Sequence, residues 1–279
     1  MLGIALGLAS SVAWGISDFL GGLETRRISA LSVLLVSQPI GLVLSLAVAL
    51  GAGGDPLSGR EVAIAAGSGA AAVLALGAFY RAMALGSISV VATIGALGIA
   101  VPVIAGIAGG DSPSAVQWVG APLAFAGAVL VAREPDPEWR AATAASVGLA
   151  ALAGLGFGLF FWGLDLSSPP NPAWTIVCAR LGGVSVLLVG AALLRPEVPG
   201  RALLPALVAI GFCDVSANSL FALATNHGLL SLVSVAGAMY SAVTVLLARV
   251  VLGERLAAVQ RAGFGLAILG VALLAGGSA

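Results

Sequence analysis

Ten long apolar runs, with most of the charge pushed into the gaps between them, constrain this chain more than anything else in it. The runs fall at roughly 2–22, 31–51, 62–82, 88–108, 115–132, 144–163, 173–194, 203–224, 229–251 and 260–276. A helix needs about 20 such residues to cross the hydrocarbon core of a bilayer. Backbone in lipid has no water to bond to, so it must satisfy itself, and a helix does so within one segment. Turn signals mark the ends: Gly53-Gly54-Asp55-Pro56, Gly110-Asp111-Ser112-Pro113, Glu134-Pro135-Asp136-Pro137, Ser168-Pro169-Pro170-Asn171-Pro172 and Arg195-Pro196. The predicted fold class is all-α integral membrane, with ten transmembrane helices. The first run starts at Leu2 with no basic segment before it and reads as a first membrane helix, not a cleaved signal.

Composition narrows the function. Only 9% of the 279 residues are charged and 60% are hydrophobic, against about 25% charged in an ordinary soluble domain. Such a surface could not be kept wet, which excludes a soluble enzyme. Twelve basic residues balance twelve acidic ones, so no global field recruits nucleic acid. Every basic residue is Arg. A Walker A loop needs its Lys, so the chain alone is not a nucleotide-driven pump. The single His227 excludes His-rich zinc motifs, and no metal or cofactor is expected. Cys178 and Cys213 lie in apolar runs and read as small buried hydrophobes.

The chain also repeats itself. At a shift of 141, Gly7-Leu8-Ala9, Gly15 and Phe19 fall on Gly148-Leu149-Ala150, Gly156 and Phe160. At 142, Gly86, Ser89, Val91, Gly95 and Ala96 fall on Gly228, Ser231, Val233, Gly237 and Ala238. At 143, Ala115-Val116-Gln117 and Gly120 fall on Ala258-Val259-Gln260 and Gly263, and Gly110-Asp111 on Gly253-Glu254. We expect two five-helix repeats, 1–132 and 144–279, joined by a connector at 133–143. Because five is odd, two such repeats in series face opposite ways across the bilayer. That inverted plan is a recurring one in secondary transporters, with substrate near the midplane.

Charges inside the runs are costly and so are functional candidates. Trp14 and Asp18 share a helix face by their four-residue spacing. They could offer an aromatic plate and a titratable carboxylate to a cavity. Alternatively, Asp18 forms a structural ion pair with Arg81 at the end of the third helix. Arg180 suits a substrate carboxylate, since its guanidinium can make paired hydrogen bonds. Its counterpart at a shift of 142 is Gln38. Alternatively, Arg180 ties to Asp214, which shares a face with Asn218. Tyr80, Trp162 and Tyr240 are large side chains with polar handles. Tyr80 and Trp162 sit near span ends, where an interfacial belt is the competing explanation. His227, in a tight connector, reads as a helix cap or loop residue rather than a proton relay. Gly3-Gly7 and Ala150-Gly154-Gly158 are small-residue stripes for close helix packing. Pro102 should kink the fourth span; its counterpart Thr244 should not.

Several segments resemble the EamA family of the drug/metabolite transporter superfamily. They are Ala13-Trp14-Gly15-Ile16-Ser17-Asp18-Phe19, the fourth-helix segment ending near Pro102, Arg180, and Gly253-Glu254-Arg255-Leu256 followed by Gln260-Arg261-Ala262-Gly263. The resemblance implies export or exchange of small metabolites, often amino acids, through a cavity between repeats. Two departures stand out: neither terminus carries the family's basic residues, and Gly110-Asp111-Ser112-Pro113 stands where the second repeat has Gly-Glu-Arg-Leu. The combined expectation is a monomeric, multi-pass secondary transporter in the plasma (inner) membrane. It is not an enzyme, its partners are a small-molecule substrate and the bilayer, and its cargo is a small polar or amphipathic metabolite. Uptake rather than export, or a non-transporting structural role, are the alternatives.

Orientation follows from Arg placement. Arg26, Arg27, Arg133, Arg140, Arg195, Arg201, Arg249, Arg255 and Arg261 fall on one side, and Arg60 on the other. The rich side is cytoplasmic, which puts both termini outside, whereas the family habit is both inside. A C-terminal reporter that works only in the cytoplasm is therefore expected to be silent. A strong signal from it would overturn this orientation.

Overall fold

A computed structural model describes residues 1–86, 88–131, 143–252 and 258–276. The connector at 133–142 and the Gly253-Glu254-Arg255-Leu256 segment lie outside the described residues, as do Arg133 and Arg140. What is described is helical: α1 (Leu2–Glu24), α2 (Ala30–Ala52), α3 (Gly59–Leu85), α4 (Ile88–Ala96), α5 (Ala100–Ala108), α6 (Ala115–Val131), α7 (Ala144–Ser167), α8 (Pro172–Leu194), α9 (Leu204–Thr225), α10 (Leu230–Gly237), α11 (Tyr240–Leu252) and α12 (Ala258–Gly276). α4 with α5, and α10 with α11, each make one interrupted span, so the helices account for all ten apolar runs. Eight of the spans are long and apolar enough to cross a membrane; α6 and α12 are apolar but shorter. The outer surface agrees: Val43, Leu50, Ile104, Leu193 and Ile268 are each at least 66% exposed. Water would penalise that surface, whereas lipid tails solvate it.

Local chemistry sets the helix ends. Ser58 and Glu61 form a reciprocal capping box at the start of α3. Asn171 caps α8, followed by Pro172 at the first helical position, where its missing N–H costs nothing. The Asn171 amide also donates to the Gly53 and Asp55 carbonyls, each at 3.0 Å, tying two loops together. Gly53, Gly54 and Gly110 take positive φ values of 64°, 96° and 108° in the turns that the sequence marked.

The fourth span breaks at a 3-10 turn, Leu97–Ile99, just before Pro102. A proline ring removes the bond to the carbonyl four residues back and crowds it. The ninth span breaks too, between Gly237 and Tyr240, contrary to the expectation for Thr244. No proline is needed there. Thr244 Oγ1 donates to the Tyr240 carbonyl at 2.9 Å and reaches the Gly15 carbonyl at 3.3 Å. Such back-bonding bends helices.

Close approach replaces hydrophobic association, because lipid tails are as apolar as the helix faces. A Cβ on Gly69 of α3 would collide with the Ala179 carbonyl oxygen of α8. A Cβ on Gly211 of α9 would collide with the Ser37 carbonyl oxygen of α2. The second contact is the first displaced by 142 residues at both ends. Gly158 against Val101 and Gly15 against Val243 form another such pair. That pair matches Gly15 with Gly158, two residues beyond the Gly156 alignment. The helix pairing behaves the same way. α1 packs on α9 as α7 packs on α3; α2 packs on α9 as α8 packs on α3; α1 meets α10–α11 as α7 meets α4–α5. α2 with α8 and α6 with α12 close the arrangement.

Gly69 and Gly67 give a matched test, since a Cβ on Gly67 meets nothing within 4 Å. Gly69→Ala should cost roughly 1–3 kcal/mol through overpacking against backbone. Gly67→Ala should be neutral or slightly stabilising, as Ala is the better helix former. Thermal unfolding in detergent measures both; equal effects would contradict the packing.

Candidate functional site

The helix crossings gather the intramembrane charges at one place. Gln38 lies eight residues into α2 and Arg180 eight residues into α8, about 12 Å from those helix ends at 1.5 Å per residue. Arg180 Nη1 donates to Asp214 Oδ2 of α9 at 2.6 Å, closing a buried ion pair. The same nitrogen donates to Gln38 Oε1. The Gln38 amide in turn donates to Asp214 Oδ2 at 2.9 Å. Three helices are thus joined by one three-membered network. The expected tie between Arg180 and Asp214 exists, with Gln38 as a third member. Arg180 Nη2 is buried and has no hydrogen-bond partner among the described residues.

Beside this network is a narrow cavity lined by Trp14, Asp18, Gln38, Arg180, Asp214, Asn218 and Tyr240. Seven of the nine candidate residues therefore meet on one space. Its free volume, about 60 Å³, holds a few waters at roughly 10–15 Å³ each. A metabolite needs the walls to part. Trp14 Nε1 donates to Asn218 Oδ1 at 2.9 Å, fixing the indole edge. The Trp14 ring packs 5.0 Å from Phe161 and 5.5 Å from Phe221. Asp18 is 6% exposed and makes no hydrogen bond or ion pair among the described residues. The Tyr240 hydroxyl is likewise buried without a partner among them.

Tyr80 and Arg81 are not on this cavity. Tyr80 is fully buried, its ring pressed against Gly21 and its hydroxyl making a long 3.5 Å contact to the Ser17 carbonyl. Arg81 is exposed and is not paired with Asp18. Both line a second, wider hollow of about 550 Å³, with Arg26, Arg27 and Glu197. Tyr80 sits one turn beyond Leu76, which lines the central cavity. Trp162 is 40% exposed and His227 lies in an exposed turn, so neither reaches the centre. Among the described residues no group of acidic, His and Cys side chains could hold a metal.

The sequence reading missed the opposite wall. Phe157, Phe160 and Phe161 of α7 and Ala72, Val73 and Leu76 of α3 line it. The i, i+3, i+4 spacing of the three Phe was a visible signal for a shared face, but in an all-apolar helix such spacing does not say which face is inside. The cavity therefore has a polar wall from α1 and α9 and an apolar, aromatic wall from α3 and α7.

Residues 1–133 match the family model described as the EamA-like transporter family. The resemblance drawn from the motifs is borne out over that stretch. A solved structure described only as the crystal structure of a protein aligns over 97% of this chain and 95% of its own, with a TM-score of 0.77 and 15% identity. At that identity the likeness establishes the fold alone. None of the curated proteins matches the chain. The match and the fold together describe a multi-pass membrane protein with a transporter-like fold.

The network yields a stability prediction. Removing one partner of a buried ion pair leaves an uncompensated charge, at a cost of about 3–5 kcal/mol. Arg180→Gln alone and Asp214→Asn alone should each lower the unfolding temperature sharply. Together they should restore most of it, because the two introduced amides can still share hydrogen bonds with each other and with the Gln38 side chain. Additive losses in the double variant would show that the pair is not coupled.

Proposed function

We propose that the chain is a secondary carrier, independent of nucleotide hydrolysis, that moves a small polar or amphipathic metabolite through the central cavity as an exporter or exchanger. Amino acids are among the cargoes that this reading admits. The observation that carries it is the set of buried polar groups left without partners among the described residues on a cavity near mid-depth. A bilayer protein with a purely structural role has no need of an Asp18, a Tyr240 hydroxyl and an Arg180 Nη2 without partners among the described residues, all on side chains that line one space, since each is costly to bury unbonded.

We further propose that 1–132 and 144–279 are inverted repeats joined by 133–143. The packing pattern supports this, because it survives exchange of the two halves. So do the interruptions of the fourth and ninth spans at corresponding places. A single chain contains the whole cavity, so a monomer suffices, and the plasma (inner) membrane is the proposed location. In such an arrangement one bundle rocks against the other around a fixed site. The narrow volume fits a closed state.

Counterflow in proteoliposomes tests the proposal. Purified protein, with neither ATP nor an ion gradient, should exchange labelled internal cargo for unlabelled external cargo drawn from a panel of small metabolites. Arg180→Lys keeps the charge but loses the planar fork. It should unfold within a few degrees of the parent yet exchange about tenfold more slowly, as expected for a loss near 1.4 kcal/mol. If no cargo exchanges while the protein remains folded, the carrier reading fails.

A further inference from the structure

We propose that the cargo subsite is built around Asp18 and takes a compact organic cation, an ammonium compound bearing a hydrogen-bond acceptor, in preference to an anion or a zwitterion. This rests on the carrier reading and narrows its cargo. The charged side chains lining the cavity are Asp18, Arg180 and Asp214. Arg180 and Asp214 neutralise each other at 2.6 Å, with Gln38 bridging them. Asp18 is left as the one carboxyl group with no counter-ion among the described residues. Arg81, the guanidinium that the sequence offered to it, is exposed at a different hollow. In so narrow and largely apolar a cavity a carboxyl group is held as the carboxylate only with a positive partner beside it, and the fold does not supply one among the described residues.

The surroundings say what kind of cation fits. Trp14 lies one turn before Asp18 on the same helix face, and Tyr240 packs 6.5 Å from the Trp14 ring. Phe161 lies against the Trp14 ring as well. Aromatic faces beside a carboxylate favour an alkylammonium over a strongly hydrated metal ion, because ring quadrupoles attract the diffuse charge while the alkyl groups bury. The unpartnered Arg180 Nη2 and Tyr240 hydroxyl add a donor and a donor–acceptor at the same cavity. A neutral oxygen on the cation, as in an amino alcohol, can bond to either. A carboxylate in that place would meet an Arg already held by Asp214, and would bring a second negative charge near Asp18.

Calorimetric titration of the full chain in lipid nanodiscs tests this without requiring transport. The probes are choline, its neutral isostere 3,3-dimethyl-1-butanol, the zwitterion glycine betaine, the anion isovalerate, and sodium chloride. Choline should bind at least about tenfold more tightly than each of the others, a difference of roughly 1.4 kcal/mol. Asp18→Asn should weaken choline about tenfold or more and leave the weak butanol binding unchanged. Asp18→Glu, which keeps the charge, should retain most of the affinity. The proposal is overturned if choline does not bind, if betaine or isovalerate binds as tightly, if sodium produces the same heat, or if Asp18→Asn has no effect. Asp18-dependent choline binding without counterflow would uphold the subsite and sink the carrier reading. Counterflow of another cargo, with no Asp18-dependent choline binding, would do the reverse.

Discussion

The Arg180–Asp214–Gln38 network is the interaction on which the rest of the arrangement depends. A permanent charge at the centre of a membrane helix costs on the order of 2.5–3.5 kcal/mol on insertion scales. Arg180 cannot shed its proton to escape that cost. Asp214 offsets it only if α8 and α9 are held within hydrogen-bond reach, and Gln38 then requires α2 to meet both. The three helices must therefore cross at one depth, and the cavity opens beside that crossing because side chains committed to the network cannot also fill the space.

Those crossings are possible because the backbones come very close. Gly69 under Ala179 and Gly211 under Ser37 bring α3 to α8 and α9 to α2 at distances that no Cβ would tolerate. The high glycine content, 39 of 279 residues, thus serves helix contact as much as turns. The interrupted spans serve the same end. Where α4 gives way to α5, Gly98 lies against Gly154 and Gly158 of α7. A break exposes carbonyls, and in lipid such groups survive only when another helix covers them.

Much of this was legible in the sequence, for a physical reason. Span boundaries are fixed by the bilayer, an environment with one strong rule, so apolar runs and turn residues located all ten. Buried charges are rare in such runs, so Arg180, Asp214 and Asp18 could be singled out, the repeat pointed to Gln38 as the counterpart of Arg180, and spacing paired Trp14 with Asp18 and Asp214 with Asn218. What stayed hidden depends on rotation about helix axes. Arg81 stands as an alternative partner for Asp18 in the sequence because both lie toward one side of the membrane, yet depth does not fix facing. The Phe157–Phe161 wall was hidden because an apolar residue is equally at home in lipid or in a cavity. The break near Tyr240 was missed because a threonine hydroxyl bends a helix only where its partners allow.

On the proposed repeat, the two walls of the cavity are the same surface with different chemistry. At a shift of 142, Asp214 and Asn218 of α9 correspond to Ala72 and Leu76 of α3. At the shift of 143 set by Gly15 and Gly158, Trp14 and Asp18 of α1 correspond to Phe157 and Phe161 of α7. Where one wall presents two carboxyl groups, an amide and an indole, the other presents aliphatic side chains and rings. A symmetric cavity would have doubled the carboxylates, and two unpaired charges in one space are harder to bury than one. Divergence keeps the shared packing that forms the space while leaving a single carboxyl group, Asp18, without an ion-pair partner among the described residues on one wall. That also gives the cavity a direction: on the proposed carrier reading, a cargo with one charged end and one apolar end has only one favourable way to lie in it. Gln38 and Arg180, themselves counterparts at a shift of 142, sit where the two halves meet and bond to each other. A pair related by a two-fold axis can touch only close to that axis, so their contact marks where the halves would pivot. If the halves rock as proposed, the network is placed where that motion displaces it least, and it can hold the centre together while the walls on either side move.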